Sequence, residues 1–166
     1  MVWVADTGPL LHLHQAGLLH LLKHEARNLT TPAVWEEWRG KTRRAELPEW
    51  VTVEMPGQQA CELARDWTRR ALLDAGEAEA LAHARAIGAE GFLTDDTAAR
   101  ECARTEGLIV RGSLGVVLMA AARSQLTEVQ AREAWDHLAN HSTLWISPAL
   151  RRETTEALER ILSKKG

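Results

Sequence analysis

Apolar positions along the chain fall into two rhythms that alternate from end to end. Short runs of strand character occur at Val2, Trp3, Val4 and Ala5, at "NLTTP" (28–32), at "WVTVE" (50–54), at "GFLT" (91–94) and at "LIV" (108–110). Helical patterns lie between and after them. Residues 10–23 carry Leu10, Leu11, Leu13, Leu18, Leu21 and Leu22 at helical spacing, and a second helix opens on Pro32 with Val34 and Trp38 inside. Further helices are predicted over 58–73, 77–87, 97–106 (stopped by Gly107), 114–123, 127–139 and 148–162. A polar, basic loop, "RGKTRRAELP", follows the second helix, and "TLWI" (143–146) reads as a brief extended link.

Strand–helix alternation predicts a three-layer α/β/α structure with a mostly parallel central sheet of about five strands. At 166 residues the chain suits one domain over 1–166, with 127–166 as a helical C-terminal extension. Folding should bury roughly 70% of the unfolded surface, enough for a sheet covered by helices. No apolar run reaches the roughly 18–20 residues of a membrane span, and no signal-peptide pattern is recognisable. Cys61 and Cys102 have neither metal-type nor disulfide-type spacing, so a reducing cytoplasm is the expected compartment. The net charge of −3 argues against a generally adhesive nucleic-acid binder but permits a local basic patch.

Candidate chemistry lies in the acids. In open parallel sheets, sites form outside the carboxyl ends of the strands, where Asp6 closes the first strand and Asp95 and Asp96 close the fourth. Asp6 alone reads equally well as an N-cap. One of Asp95 and Asp96 can cap the helix that follows, but two adjacent carboxylates repel unless water or a cation intervenes. At about 100° per residue, Glu77 shares a helix side with Leu81, Ala84 and Gly88, while Glu79 falls opposite, toward solvent. Asp74-Ala75-Gly76-Glu77 is also a capping box. In "PAVWEEW", Glu37 stands nearer the apolar stripe than Glu36. A cluster of such carboxylates requires positive charge, and oxygen-only ligation suits hard ions such as Mg²⁺ or Mn²⁺, the setting of phosphoryl transfer.

"ADTGPLLHL", "TPAVWEEW", "DAGEAEALAHA", "LTDDTAARECA" and "VRGSLGVVLMAA" occur in the order and at the spacing of PIN-domain proteins. Over about residues 2–125 the chain resembles PIN-like proteins related to VapC-type toxin ribonucleases. The resemblance implies a Rossmann-like α/β/α fold and Mg²⁺- or Mn²⁺-dependent cleavage of single-stranded or structured RNA. It also implies a role as the toxin of a toxin–antitoxin pair, with an antitoxin partner and a homodimeric state. By position it assigns Asp6, Glu37, Glu77 and Asp96 to the metal site, with Asp95 as an extra neighbour and Thr7 as the hydroxyl beside the first acid. Glu77 departs from the aspartate usual in the toxins. Arg39, Lys41, Arg43 and Arg44 are candidate phosphate contacts or an ordinary solvated loop. Arg100 would either pair with a site acid or touch phosphate.

Other features have plainer readings. His12, His14, His20 and His24 lack an accompanying acid motif, and imidazole suits zinc more than magnesium, so packing or exposure is expected. Ser113 is expected to cap the helix after the fifth strand. Cys61 and Cys102 are expected to pack. The two rivals to a nuclease are a degenerate PIN module that binds RNA or a protein without cutting, and a haloacid-dehalogenase-like phosphatase. The latter normally has a second acid two residues after the nucleophile, where this chain has Gly8.

Overall fold

In the computed structural model, which describes residues 1–23, 26–43 and 45–164, the alternation becomes β1 (Val2–Ala5), α1 (Thr7–Gln15), β2 (Arg27–Thr30), α2 (Pro32–Lys41) and β3 (Val51–Val53). These are followed by α3 (Gln58–Arg69), α4 (Ala75–Ala86), β4 (Gly91–Leu93), α5 (Thr97–Thr105), β5 (Ile109–Arg111), α6 (Ser113–Ala122), α7 (Glu128–His141) and α8 (Pro148–Ser163). The five strands form one sheet in the order β3-β2-β1-β4-β5, and every pairing is parallel. The chain leaves β1 in one direction to build β2 and β3, then returns to the other side of β1 for β4 and β5. The strand order therefore reverses between β1 and β4, the place where open α/β sheets leave a crevice at their carboxyl ends.

Parallel strands need crossover helices, and right-handed crossovers place α1 and α4 on opposite faces of the sheet. The result is a three-layer α/β/α structure. Val4, Ala5, Leu29 and Phe92 supply the sheet's buried side chains, and Leu10, Leu13, Leu81 and Val117 cover them from the helices. Trp38 is fully buried, and its indole N–H donates to the carbonyl of Ala45 at 2.7 Å. At the first position of β4, the ring of Trp3 occupies the place of a side chain: a Cβ on Gly91 would lie 2.5 Å from it.

Several boundaries differ from the sequence expectation. The single helix over 10–23 is broken: α1 starts three residues earlier, at Thr7, where Asp6 caps it, and Gly17 interrupts it with φ of 73° before a short 3₁₀ turn at Leu19–Leu22. α2 runs on through Lys41, so Arg39 and Lys41 are helical rather than in a loop. α4 begins at Ala75, two residues earlier than predicted, because the Asp74/Glu77 capping box is formed. Ala78, Ala80, Leu81, Ala82, His83 and Ala84 are buried in succession, since the helix packs on α3 as well as on β1 and β4. Residues 143–146 form no strand. α7 and α8 pack back on α6, where Ala121, Ala131, Leu158 and Leu162 make a small buried cluster. Among the described residues, no helix is long and apolar enough to cross a membrane.

Candidate active site

Register fixes the first acid. Ala5 pairs with Leu93, so Asp6 leaves β1 beside Thr94 at the end of β4, and its N–H donates to the Leu93 carbonyl at 2.9 Å. The Asp6 side chain is buried, at 4% exposure. Oδ1 accepts from the Thr7 N–H at 2.6 Å, and Oδ2 accepts from the Thr94 hydroxyl at 3.1 Å. These bonds favour the carboxylate, yet its pKa is pushed up from 3.8 to about 7. Burial is the largest cause, followed by the negative charge of Glu77; Glu37 adds to the repulsion. The helix-cap and site readings of Asp6 are thus both realised, since its cap bond leaves it aimed into a cavity.

That cavity, about 370 Å³, is lined by all five candidate acids, Asp6, Glu37, Glu77, Asp95 and Asp96, and by Asp74. Four of the five converge by way of local devices. Glu37 reaches back along α2, accepting from the Thr7 hydroxyl on Oε2 and from Lys41 Nζ at 3.2 Å on Oε1. Gly76 keeps room for it: a Cβ there would stand 3.2 Å from Oε2. Glu77 completes the capping box, accepting from the Asp74 N–H at 3.0 Å. Its pKa is raised chiefly by burial, opposed by that hydrogen bond, with Asp96, Asp74 and Glu37 adding repulsion. Asp96 caps α5, its Oδ1 accepting from Ala99 N–H at 2.8 Å.

A model of the PIN-domain family matches residues 2–160. The chain belongs to the PIN-domain family. No curated protein and no solved structure matches it. The matched span reaches well past the blocks that carry the sequence resemblance and takes in α7 and most of α8. PIN domains are generally nucleases and typically use divalent metals, and the fold here is nuclease-like in that sense.

Within this PIN domain the fifth acid has a different environment. Asp95 was expected as an extra metal neighbour, but it turns toward α6. Oδ1 accepts from the Ser113 N–H at 2.7 Å; Oδ2 accepts from the Ser113 hydroxyl at 2.6 Å and lies 2.8 Å from His12 Nδ1. Repulsion between the adjacent aspartates is relieved by giving each a helix N-terminus, α5 for Asp96 and α6 for Asp95. Ser113 is correspondingly the first residue of α6 rather than its cap, and its hydroxyl braces Asp95. Gly112 is required there, because a Cβ would fall 2.6 Å from Asp95 Oδ1.

The basic candidates separate. Lys41 lines the cavity. Arg39 pairs with Glu36 at 3.3 Å and lies over the Trp35 ring. Arg43 is exposed with φ of 51°. Arg44 and His24 lie outside the described residues. Arg100 touches no site acid by hydrogen bond; its Nη1 donates to the Thr94 carbonyl at 3.1 Å and so secures the end of β4. Glu79, expected at solvent, accepts from the Ala33 N–H at 2.9 Å and holds the start of α2. Sequence reasoning missed His12 and Trp145 as cavity residues. His12 had a signal, its place one turn into the helix that Asp6 caps; Trp145 had none in local pattern.

The donor set suits a hard divalent ion: every acid offers oxygen, and Asp6 is short of positive charge in its burial site. As placed, however, no three Asp, Glu, His or Cys side chains among the described residues stand close enough to form a ligand group. Glu37 has both oxygens engaged, by Thr7 and Lys41, while Glu77 and Asp96 each have one oxygen on a backbone N–H at the start of their own helix.

Proposed function

We propose that this PIN domain is a metal-dependent ribonuclease hydrolysing RNA phosphodiester bonds, with Asp6, Glu37, Glu77 and Asp96 holding Mg²⁺ or Mn²⁺. The observation that carries the reading is Asp6: a nearly inaccessible carboxyl at the strand-order reversal, pushed up to about 7, facing a cavity that Glu37, Glu77 and Asp96 also line. When bound, a divalent ion supplies the charge that activates water and stabilises the leaving oxygen. The chain's own residues do the rest. Thr7 holds Glu37 in place through its hydroxyl. Lys41 sits where a substrate phosphate can exchange for Glu37 as its partner. Thr94 fixes the rotamer of Asp6 and also accepts from the Asp96 N–H at 3.2 Å, tying the two strand ends together.

The test is RNA cleavage by purified Asp6→Asn beside the parent protein, in Mn²⁺ and in EDTA. Cleavage should require both the metal and Asp6, with the circular dichroism spectrum unchanged. Equal activity in the variant would defeat the assignment. One observation favours a second reading, a PIN module that binds RNA or a protein partner without cutting: the acids stand engaged with local partners rather than gathered. A thermal melt separates the two, because the nuclease should be stabilised by Mn²⁺ and the binding module should not. Toxin activity, inhibition by an antitoxin and homodimer formation extend the same proposal, each testable by expression with and without the adjacent reading frame and by sedimentation.

A further inference from the structure

Six of the seven tryptophans are buried or half-buried. The seventh, Trp145, is 81% exposed, the largest exposure of any big hydrophobic side chain among the described residues. It lies in the connector between α7 and α8 and lines the same cavity as Asp6 and Asp96. The connector is anchored on both sides of it. The N–H and hydroxyl of Thr143 both donate to Gln15 Oε1, at 2.8 and 2.9 Å, fastening the segment to the end of α1. Leu144 and Ile146 pack on the main core, so alternation along the segment turns the indole outward. Ser147 then caps α8, accepting from the Leu150 N–H at 3.1 Å. An indole left in water at a fixed place forgoes the burial that the other six obtain.

We infer that Trp145 is a stacking platform for an unpaired base of single-stranded RNA next to the scissile phosphate. The inference rests on the nuclease reading of this cavity and deepens it by naming a residue that would position the substrate. A flat π-face beside a phosphate-handling acidic cavity, with Lys41 also on its wall, matches the two parts of a nucleotide. In a duplex the bases face inward and stack on each other, so such a platform engages only an unpaired strand. Stacking tolerates any base, which makes Trp145 a selector of strandedness rather than of sequence.

The experiment measures fluorescence anisotropy of labelled oligoadenylate, and of a duplex of equal length, on full-length Asp6→Asn protein in Mn²⁺. Adding Trp145→Ala should weaken oligoadenylate binding about tenfold, and Trp145→Phe should retain most of it. An abasic residue walked along the oligomer should cost the Asp6→Asn protein a similar factor at one position and cost the Trp145→Ala protein nothing there. A merely structural role for Trp145 would not produce that pairing, and an 81%-exposed side chain can be truncated without unfolding the chain. If the Asp6→Asn protein binds oligoadenylate but the Trp145→Ala change leaves affinity and the abasic profile unaltered, the inference is overturned and the nuclease reading stands. If neither Asp6→Asn in Mn²⁺ nor the parent protein in Ca²⁺ binds any oligoribonucleotide, the reading of the site fails and the inference goes with it. Unaltered RNA affinity with loss of self-association in sedimentation would assign Trp145 to contact between copies, and would equally overturn the proposal.

Discussion

Replacing Asp6 with asparagine should stabilise the metal-free protein at alkaline pH while removing its proposed activity. The unfolded chain releases the Asp6 proton near 3.8, whereas the folded chain holds it to about 7. Stability is therefore unaffected by this group below about pH 4 and falls as pH rises toward 7, because the unfolded state gains the ionisation first. Above about pH 7 the full penalty applies, about 4 kcal/mol at roughly 1.36 kcal/mol per tenfold change. Asparagine carries no charge to bury. The bonds from Thr7 N–H and Thr94 hydroxyl, which favour the carboxylate, are already included in the value of about 7. The net expectation is a gain of about 4 kcal/mol near pH 8.5, or roughly 8–16 °C in Tm for a domain of this size. Near pH 4, where the folded Asp6 is itself protonated, the two proteins should differ by less than about 1 kcal/mol. Urea unfolding in EDTA at both pH values reads the difference directly. A gap between the two proteins that does not change with pH would show that the Asp6 carboxyl is not held neutral by burial and by Glu77. The reasoning would then be wrong at its root.

Other expectations follow from particular contacts. Ser113→Ala removes the buried hydroxyl that donates to Asp95 and should lower stability by about 2 kcal/mol, measured by urea titration. Gly91→Ala places a methyl 2.5 Å from the Trp3 ring and should destabilise by at least about 1–3 kcal/mol, with the near-ultraviolet dichroism of the tryptophans altered. Leu158→Ala empties a 3%-exposed position between α8 and α6 and should cost about 2–5 kcal/mol in one cooperative transition. A separate early transition there would mean that the last two helices unfold independently of the sheet.

The alternation of strand and helix, the parallel sheet and the position of the acids at strand ends follow from sequence because each depends on local information. Apolar period distinguishes the elements, and a carboxylate that ends an apolar run marks a carboxyl edge whichever strands become its neighbours. Asp6, Glu37, Glu77 and Asp96 could be chosen in this way, and all four line one cavity. What period cannot convey is the partner on the other side of a contact. Glu79 faced away from Glu77 as predicted, but the direction away from Glu77 leads to the N-terminus of α2, not to water. Asp95 lines the cavity beside Asp96, but its carboxylate is also held by an N–H and a hydroxyl from α6, eighteen residues on, which local pattern does not show. Trp145 reads as part of a plain linker, and only Gln15, 128 residues away, anchors that linker at the cavity. The sequence by itself determined which segments carry charge to the edge of the sheet. The tertiary structure alone decided which distant groups meet those charges, because a hydrogen-bond partner far off in the chain leaves no trace in the local pattern.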